Sequence, residues 1–255
     1  MTPLKESLAD AMQIMLDTIS WTEPEGIKTG YPELDNITRG MRKGSLTVLI
    51  SGPSLGKTAF ALNVVGNLLH GKPEMPILYG SALSPAELSF RLLAILSGVR
   101  CSCDHELQGD EAARLTAVVS SIQDHSLYFE DSRTMDDIFF RKITAQQKEK
   151  HFGLIVLDPV PPACLSRVQQ LARELDIPVL ALVSLRKDKS AAEIMEQGDT
   201  VIHLTRDRDG ESADIIPPAV LVVARNRFGL CGTCRLQFMP QAMQFRAFET
   251  ESEEA

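Results

Sequence analysis

The chain has little positive charge and few aromatic side chains. Its 255 residues include 26 Lys and Arg against 34 Asp and Glu, which gives a formal net charge of −8, and only 5% are aromatic. A protein of this charge has no overall field that attracts nucleic acid, so any contact with DNA must come from a local basic patch. The sequence also lacks an apolar run of membrane-spanning length, and we expect no membrane partner.

Cysteine is scarce and odd in number, with five residues and no secretory segment in the sequence. These features predict reduced thiols and a cytoplasmic location. The spacings of Cys101 with Cys103 and of Cys231 with Cys234 also occur at zinc sites, but the second pair lies in a predicted hairpin arm, where small apolar residues serve equally well. The chain length fits one sizeable α/β domain with a short appendage.

The most informative stretch is a glycine-containing loop between a predicted strand and a predicted helix. The apolar run 46–50 predicts a buried strand, and residues 59–69 have helical spacing. The loop between them consists of Ser51, Gly52, Pro53, Ser54, Leu55, Gly56, Lys57 and Thr58. Here Gly56 lets the backbone approach a polyphosphate, whose oxygens face the loop amides and the helix N-terminus. We expect Lys57 to reach the β- and γ-phosphates of ATP and the Thr58 hydroxyl to bind Mg²⁺.

A second informative stretch is a strand that ends in a single carboxylate. Residues 153–157 predict a buried strand, and Asp158 follows directly. An apolar run before Asp is common on its own. Paired with a phosphate-binding loop upstream, it indicates the carboxylate that holds the water shell of Mg²⁺ opposite Thr58.

A further set of motifs lies before and within the loop: Gly26-Ile27, Thr29-Gly30, Leu34-Asp35 and the run 53–58. Together they resemble the RecA-like motor domain of the DnaB family of bacterial replicative DNA helicases. The resemblance implies an α/β fold with a RecA-like P-loop NTPase core, in which helices flank a mostly parallel twisted sheet that ends in a C-terminal antiparallel hairpin.

The domain organisation follows from the resemblance and from the ends of the chain. An apolar stripe at helical spacing comprises Leu4, Leu8, Ala11, Met12, Met15, Leu16 and Ile19. We therefore expect a linker-like amphipathic helix and loop over residues 1–25 and a RecA-like ATPase domain over 26–248. The acidic segment 249–255 is expected to be a disordered tail.

The resemblance also implies roles for individual residues. Leu83 occupies the position of the family's catalytic glutamate, so a general-base contribution of about 10²–10⁴-fold would be missing. Glu87, one helical turn further on, is better explained as a first-turn carboxylate favoured by the helix dipole. Arg225 and Arg227 match the family's lysine and arginine finger, which act on the nucleotide of the adjacent subunit. The same two arginines also fit exposed side chains that alternate along a strand.

Other positions depart from the family pattern. The proline-rich turn 159–164 replaces a longer DNA-facing loop and has no basic residue before Arg167. Ser184 is too short to replace the glutamine that senses the γ-phosphate in the family. The second DNA-facing loop would fall within 186–190, a short basic segment that a solvated turn explains equally well. Asp131-Ser132 precedes a helix predicted from about residue 135 to 150, and a helix N-cap explains it better than a ligand site does.

These residues support functions of different classes. The first is an ATP-binding, DnaB-like ATPase of DNA replication with ATP and Mg²⁺ as cofactors and Lys57, Asp158, Arg225 and Arg227 as catalytic residues. It would form a ring or filament of its own copies, such as a hexamer, and meet other replication proteins, while the altered loops weigh against single-stranded DNA as a partner. The second is an ATP-binding interaction or regulatory module whose turnover is negligible because of Leu83. A recombinase-like relative of the same fold also remains open, since fold alone does not fix function.

Overall fold

The computed structural model describes residues 26–100, 106–185, 191–207 and 218–248, together with Leu4, Leu8 and Met12. Those three residues are helical and exposed, and their spacing of four puts them on one helix face. The predicted basic loop 186–190, the tail 249–255 and the pair Cys101 and Cys103 lie outside the described residues.

The described residues form one nine-stranded sheet. Its strands are β1 (Leu46–Ser51), β2 (Ile77–Ser81), β3 (Leu127–Asp131), β4 (Leu154–Asp158), β5 (Val179–Ser184), β6 (Thr200–Arg206), β7 (Ala219–Asn226), β8 (Gly232–Met239) and β9 (Gln244–Ala247). They are ordered β3-β2-β4-β5-β1-β6-β7-β8-β9. The first six in this order are parallel, and the last four, counting β6, pair antiparallel. The predicted mostly parallel sheet and C-terminal hairpin are confirmed, and β9 adds a strand that was not predicted.

Helices cover both faces of this sheet. They are α1 (Pro32–Thr38), α2 (Lys57–Gly71), α3 (Pro85–Ser97), α4 (Glu111–Ile122), α5 (Asp137–Lys150), α6 (Leu165–Leu175) and α7 (Ala191–Gln197), with a 3₁₀ turn at Pro162–Cys164. One core lies between the sheet and α2 and α3, and a second lies between the opposite face and α5 and α6. Because both faces are covered, β1, β2 and β4 are buried at every position, which explains their continuous apolar runs.

The register of the parallel strands brings their carboxyl ends to one edge of the sheet. Ser51, the last residue of β1, pairs with Ser184 of β5, and Ser81 of β2 pairs with Asp158 of β4. Side chains just beyond these ends share a crevice, which is where open α/β sheets bind ligands. The loop after β1 and Asp158 therefore belong to the same edge.

Two helix starts test predictions from the sequence. The interpretation of Asp131-Ser132 as the N-cap of α5 is wrong, because Asp136 caps that helix and its side chain accepts from the Phe139 N–H at 2.9 Å. Residues 132–135 lie between the end of β3 and this cap, and they carry the chain from the edge of the sheet to the helix layer. The prediction for Glu87 is confirmed, since Glu87 and Ser84 form a reciprocal capping box at the start of α3.

Candidate nucleotide-binding site

The loop after β1 leads into α2 through two residues with positive φ. Ser54 has φ of 59° and Gly56 has φ of 101°. A Cβ atom on Gly56 would also lie 3.2 Å from Phe245 Cζ, so both the backbone conformation and the available space favour glycine. Gly56 is the N-cap of α2, which has no side-chain cap and no acidic residue in its first turn. The first amides of the helix therefore face the loop, as a phosphate site requires.

Lys57 is held inside this loop. Its side chain is buried, and Nζ donates to the carbonyl oxygens of Ser51 (3.2 Å) and Gly52 (3.0 Å) and to Ser51 Oγ (3.0 Å). Burial lowers the pKa of the Lys57 ammonium, and the negative charge of Asp158 opposes this effect. The loop thus presents a positive charge beside the helix N-terminus, where an anion is favoured.

Asp158 lies next to the same helix N-terminus. Its side chain is buried, and the Thr58 hydroxyl lies close enough to it to act on its pKa. Burial raises its pKa, while the hydrogen bonds from Thr58 and Tyr79 and the charge of Lys57 oppose that rise. The structure therefore brings Lys57, Thr58 and Asp158 to one place. The hydroxyl of Thr58 and the carboxylate of Asp158 are oxygen ligands of the kind that Mg²⁺ takes.

Two residues of this site were missed by the sequence analysis. Tyr79 is fully buried, and its hydroxyl donates to Asp158 Oδ2 at 3.3 Å. Burial raises the pKa of Tyr79 well above its usual value, and the negative charge of Asp158 adds to this, so the phenol keeps its proton. The positive charge of Arg91 on α3 acts on both groups and opposes the rise of both pKa values. A polar aromatic residue within the aliphatic strand β2 was the available signal for Tyr79.

Among the described residues, the carboxylates that line the cavity at the position predicted for the catalytic base all have hydrogen-bond partners. Leu83 is half-buried and packs against the core beneath α2, and it lines a cavity of about 370 Å³ together with Glu87, Glu130 and Asp131. The Glu87 carboxylate accepts from Ser84 N–H (2.9 Å) and Ser84 Oγ (2.7 Å), which lowers its pKa. These bonds hold Glu87 in its capping role.

The other two carboxylates of that cavity are bound to cations. Asp131 accepts two bonds from Arg133 Nε, at 3.0 and 2.9 Å, and hydrogen bonds from Arg133 lower its pKa to about 2. Glu130 accepts from Lys142 Nζ at 2.7 Å and from Gln146 Nε2 at 3.2 Å. A general base works best when its pKa is near the operating pH, so the pKa of Asp131 is poorly matched to that task.

Arg225 and Arg227 lie at the opposite edge of the sheet from the loop. Asn226 at the end of β7 pairs with Thr200 at the start of β6, and Thr200 pairs with Thr47 near the start of β1. The Arg225 guanidinium donates to the Met195 carbonyl, and Arg227 Nη1 lies 3.4 Å from Asp199 Oδ1 with 60% of its side chain exposed. Neither arginine therefore lies at the edge of the sheet that carries Lys57 of the same chain.

The structure also shows the turn after β4, Ser184 and two of the cysteines that the sequence analysis considered. The turn after β4 is compact, because the buried Val160 donates its N–H to the Leu182 carbonyl at 2.8 Å and the 3₁₀ turn at Pro162–Cys164 enters α6 directly. Ser184 is half-buried at the end of β5.

Cys231 is exposed and Cys234 is buried, and in the described parts of the chain no three Cys, His, Asp or Glu side chains form a group that could hold a metal. None of the described helices is long and apolar enough to cross a membrane.

A parallel sheet with a glycine loop, a buried lysine, a hydroxyl and a strand-end carboxylate at one edge defines a RecA-like P-loop domain. Comparison with known proteins narrows this class. Residues 26–160 match the DnaB-like helicase C terminal domain, and the chain belongs to this family.

Relatives and solved structures agree with this assignment. The chain is 28% identical to the replicative DNA helicase DnaB of Geobacillus stearothermophilus, over 91% of this chain and 59% of that protein. It is 29% identical to DnaB of Treponema pallidum, over 86% of this chain and 56% of that protein. The chain thus spans less than two thirds of the length of these relatives.

Two solved structures share the fold. The ATPase domain of G40P aligns with a TM-score of 0.79 at 22% identity and covers 95% of this chain and 99% of that one. A DnaB-like replicative helicase, solved in a study of its interactions with primase, aligns with a TM-score of 0.80 at 21% identity and covers 98% of this chain and 68% of that one.

Proposed function

We propose that this chain is the ATP-binding domain of a DnaB-like replicative helicase and acts in DNA replication in the cytoplasm. The observation that carries the proposal is the convergence of Lys57, Thr58 and Asp158 at the N-terminus of α2. A positive charge, a hydroxyl and a carboxylate at that point fit a triphosphate with its magnesium ion.

Each residue has a defined task in this site. The amides of the loop and of the first turn of α2 bind phosphate oxygens, and the Lys57 ammonium leaves its carbonyl partners to neutralise the terminal phosphates. Thr58 and Asp158 hold Mg²⁺, which screens the phosphate charge when it is bound. Arg91 adds a further positive charge toward the same carboxylate.

The location of the two arginines supports a head-to-tail assembly. A subunit that presents Arg225 and Arg227 on one edge and Lys57 on the other can contact its neighbour's nucleotide only through two different surfaces. Such heterologous interfaces generate rings when the rotation closes and filaments when it does not. We propose that Arg227, with Arg225, stabilises charge on the phosphates bound by the adjacent copy.

A second candidate function is an ATP-dependent assembly module with very slow hydrolysis. The observation in its favour is Leu83 in a cavity whose carboxylates are all engaged. The compact turn after β4 also leaves few basic groups for DNA phosphates, so single-stranded DNA is a less favoured partner than other replication proteins.

One experiment tests the proposal and separates the two candidates. The measurements are affinity for ATP with Mg²⁺, turnover with and without single-stranded DNA, and the mass of the complex. Lys57→Ala should abolish binding, while Lys72→Ala, at the other end of α2, is the matched control. DNA-stimulated turnover supports the motor, and tight binding without turnover supports the assembly module. If the unaltered chain binds no ATP, both proposals fail.

A further inference from the structure

Tyr79 and Asp158 lie on the same face of two adjacent strands. In the register of β2 and β4, Tyr79 pairs with Val156 and Ser81 pairs with Asp158. Side chains alternate between faces along a strand, and paired residues share a face. Tyr79 and Asp158 therefore both point toward the layer of α2 and α3, where Lys57 and Thr58 begin α2.

Packing fixes the direction of the Tyr79 ring. The side chain is 0% exposed and belongs to the core cluster that also contains Leu88 and Leu92 of α3 and Val156 of β4. A buried tyrosine contributes an apolar ring to the core and needs a partner for its hydroxyl. That partner is Asp158 Oδ2, at 3.3 Å.

The carboxylate of an aspartate is not held in one orientation by its own torsions. The terminal torsion of Asp joins an sp³ carbon to an sp² carbon and has a broad energy minimum. A donor on a rigid ring removes this freedom, because it fixes one oxygen of Asp158 and with it the angle that the carboxylate presents to Thr58.

We propose that Tyr79 is a positioning residue for magnesium binding, which orients Asp158 through its hydroxyl. This inference rests on the proposed nucleotide site, and it adds a residue on β2 to the groups that determine Mg²⁺ affinity. Tyr79 itself does not contact nucleotide or metal. Its effect on ATP binding is limited to the magnesium-dependent part.

The test compares Tyr79→Phe with Tyr31→Phe. Tyr31 is a matched control because it is buried in the same core cluster and its hydroxyl donates to the Phe245 carbonyl at 3.2 Å, away from Asp158. Binding of a fluorescent ATP analogue is titrated with Mg²⁺ and repeated in EDTA, and thermal unfolding is recorded for each variant. Tyr79→Met, which also lacks the hydroxyl, provides a second variant if the phenylalanine variant does not fold.

We expect both variants to lower the melting temperature by a similar amount, about 2–4 °C. Only Tyr79→Phe should raise the Mg²⁺ concentration for half-maximal binding, by about 5- to 10-fold, as expected for loss of one ordinary intramolecular hydrogen bond. The affinity for the ATP analogue in EDTA should be unchanged in both variants.

Three results would overturn the inference. The first is that Tyr79→Phe and Tyr31→Phe need the same Mg²⁺ concentration for half-maximal binding, while ATP binding by the unaltered chain depends on Mg²⁺. This result would leave the proposed function intact. The second is an equal loss of affinity in EDTA and in Mg²⁺, which indicates general damage to the pocket. The third is an unaltered chain whose ATP binding does not respond to Mg²⁺, which removes the proposed function as well.

Discussion

Replacing Leu83 with glutamate tests whether this chain lacks only the base for ATP hydrolysis. Leu83 follows Ser81 by two residues, and Ser81 is the register partner of Asp158. The Leu83 N–H donates to Ser81 Oγ at 3.1 Å, and the Ala82 N–H donates to the Asp158 carbonyl at 3.3 Å. The backbone at this point is therefore fixed to the site, so a carboxylate introduced here begins next to the proposed magnesium ligands.

The expected gain follows from what a positioned base contributes. General-base catalysis is worth about 10²–10⁴-fold, or roughly 2.7–5.4 kcal/mol of activation free energy. We expect Leu83→Glu to raise ATP turnover by at least about 10²-fold. The cavity of about 370 Å³ that Leu83 lines gives the new side chain room to stay hydrated. The lost apolar contact should therefore cost only about 1–2 kcal/mol of unfolding free energy.

The assay is single-turnover hydrolysis of γ-labelled ATP by the assembled protein with Mg²⁺. Leu83→Gln is the matched control, since glutamine has the same shape as glutamate and cannot accept the proton at neutral pH. The glutamine variant should hydrolyse ATP at the parental rate. Equal rates for the glutamate and glutamine variants would refute the reasoning, because Leu83 would then not occupy the position of the base.

Three further predictions follow from the site and its surroundings. Gly56→Ala should lower the unfolding free energy in urea by about 1–2 kcal/mol because of its positive φ, with an added cost from Phe245. In a Phe245→Leu background, Gly56→Ala should cost only the part that comes from φ, and no cost in that background would show that φ is not strained. Arg227→Ala should lower the turnover of a hydrolysing assembly by about 10³-fold and leave ATP affinity unchanged, as measured by steady-state kinetics and equilibrium binding. Arg235→Ala is its control, and equal losses in both variants would contradict the role across the interface. Burial raises the pKa of Asp158 in the folded chain, so its ionisation costs stability as the pH rises from the usual Asp value of about 4 through the raised pKa. Without nucleotide, Asp158→Asn should therefore unfold at a higher temperature than the parent at pH 7, and the difference should disappear near pH 3; a difference that does not change with pH would argue against this cause.

The parts of the site that the sequence predicts are those made by neighbouring residues. The run from Leu46 to Gly71 contains a strand, a loop and a helix in succession, so the chemistry of Lys57 and Thr58 can be inferred from local pattern alone. The strand that ends at Asp158 is equally local. That both segments reach the same edge follows from the general rule for parallel sheets. That only β5 separates β1 from β4 depends on the strand order, which the structure supplies.

The rest depends on contacts between residues that are distant in the sequence. The hydrogen bond from Tyr79 to Asp158 requires β2 and β4 to be neighbours in one register, and no local pattern encodes that pairing. The helix cap at Asp136 was misassigned because Asp131-Ser132 offers the same side chains and only the path of the chain decides between them. Such choices are set by tertiary packing.

The contact between Gly56 and Phe245 has a consequence for the order in which the molecule can be completed during synthesis. The wall behind the loop comes from β9, and Tyr31 near the start of the described domain also binds the Phe245 carbonyl. A nascent chain on the ribosome can form the loop and its helix early, but it lacks this support until nearly the whole domain has been translated. Ribosome-bound chains that stop before β9 should therefore hold an unsupported loop, however complete their parallel strands are.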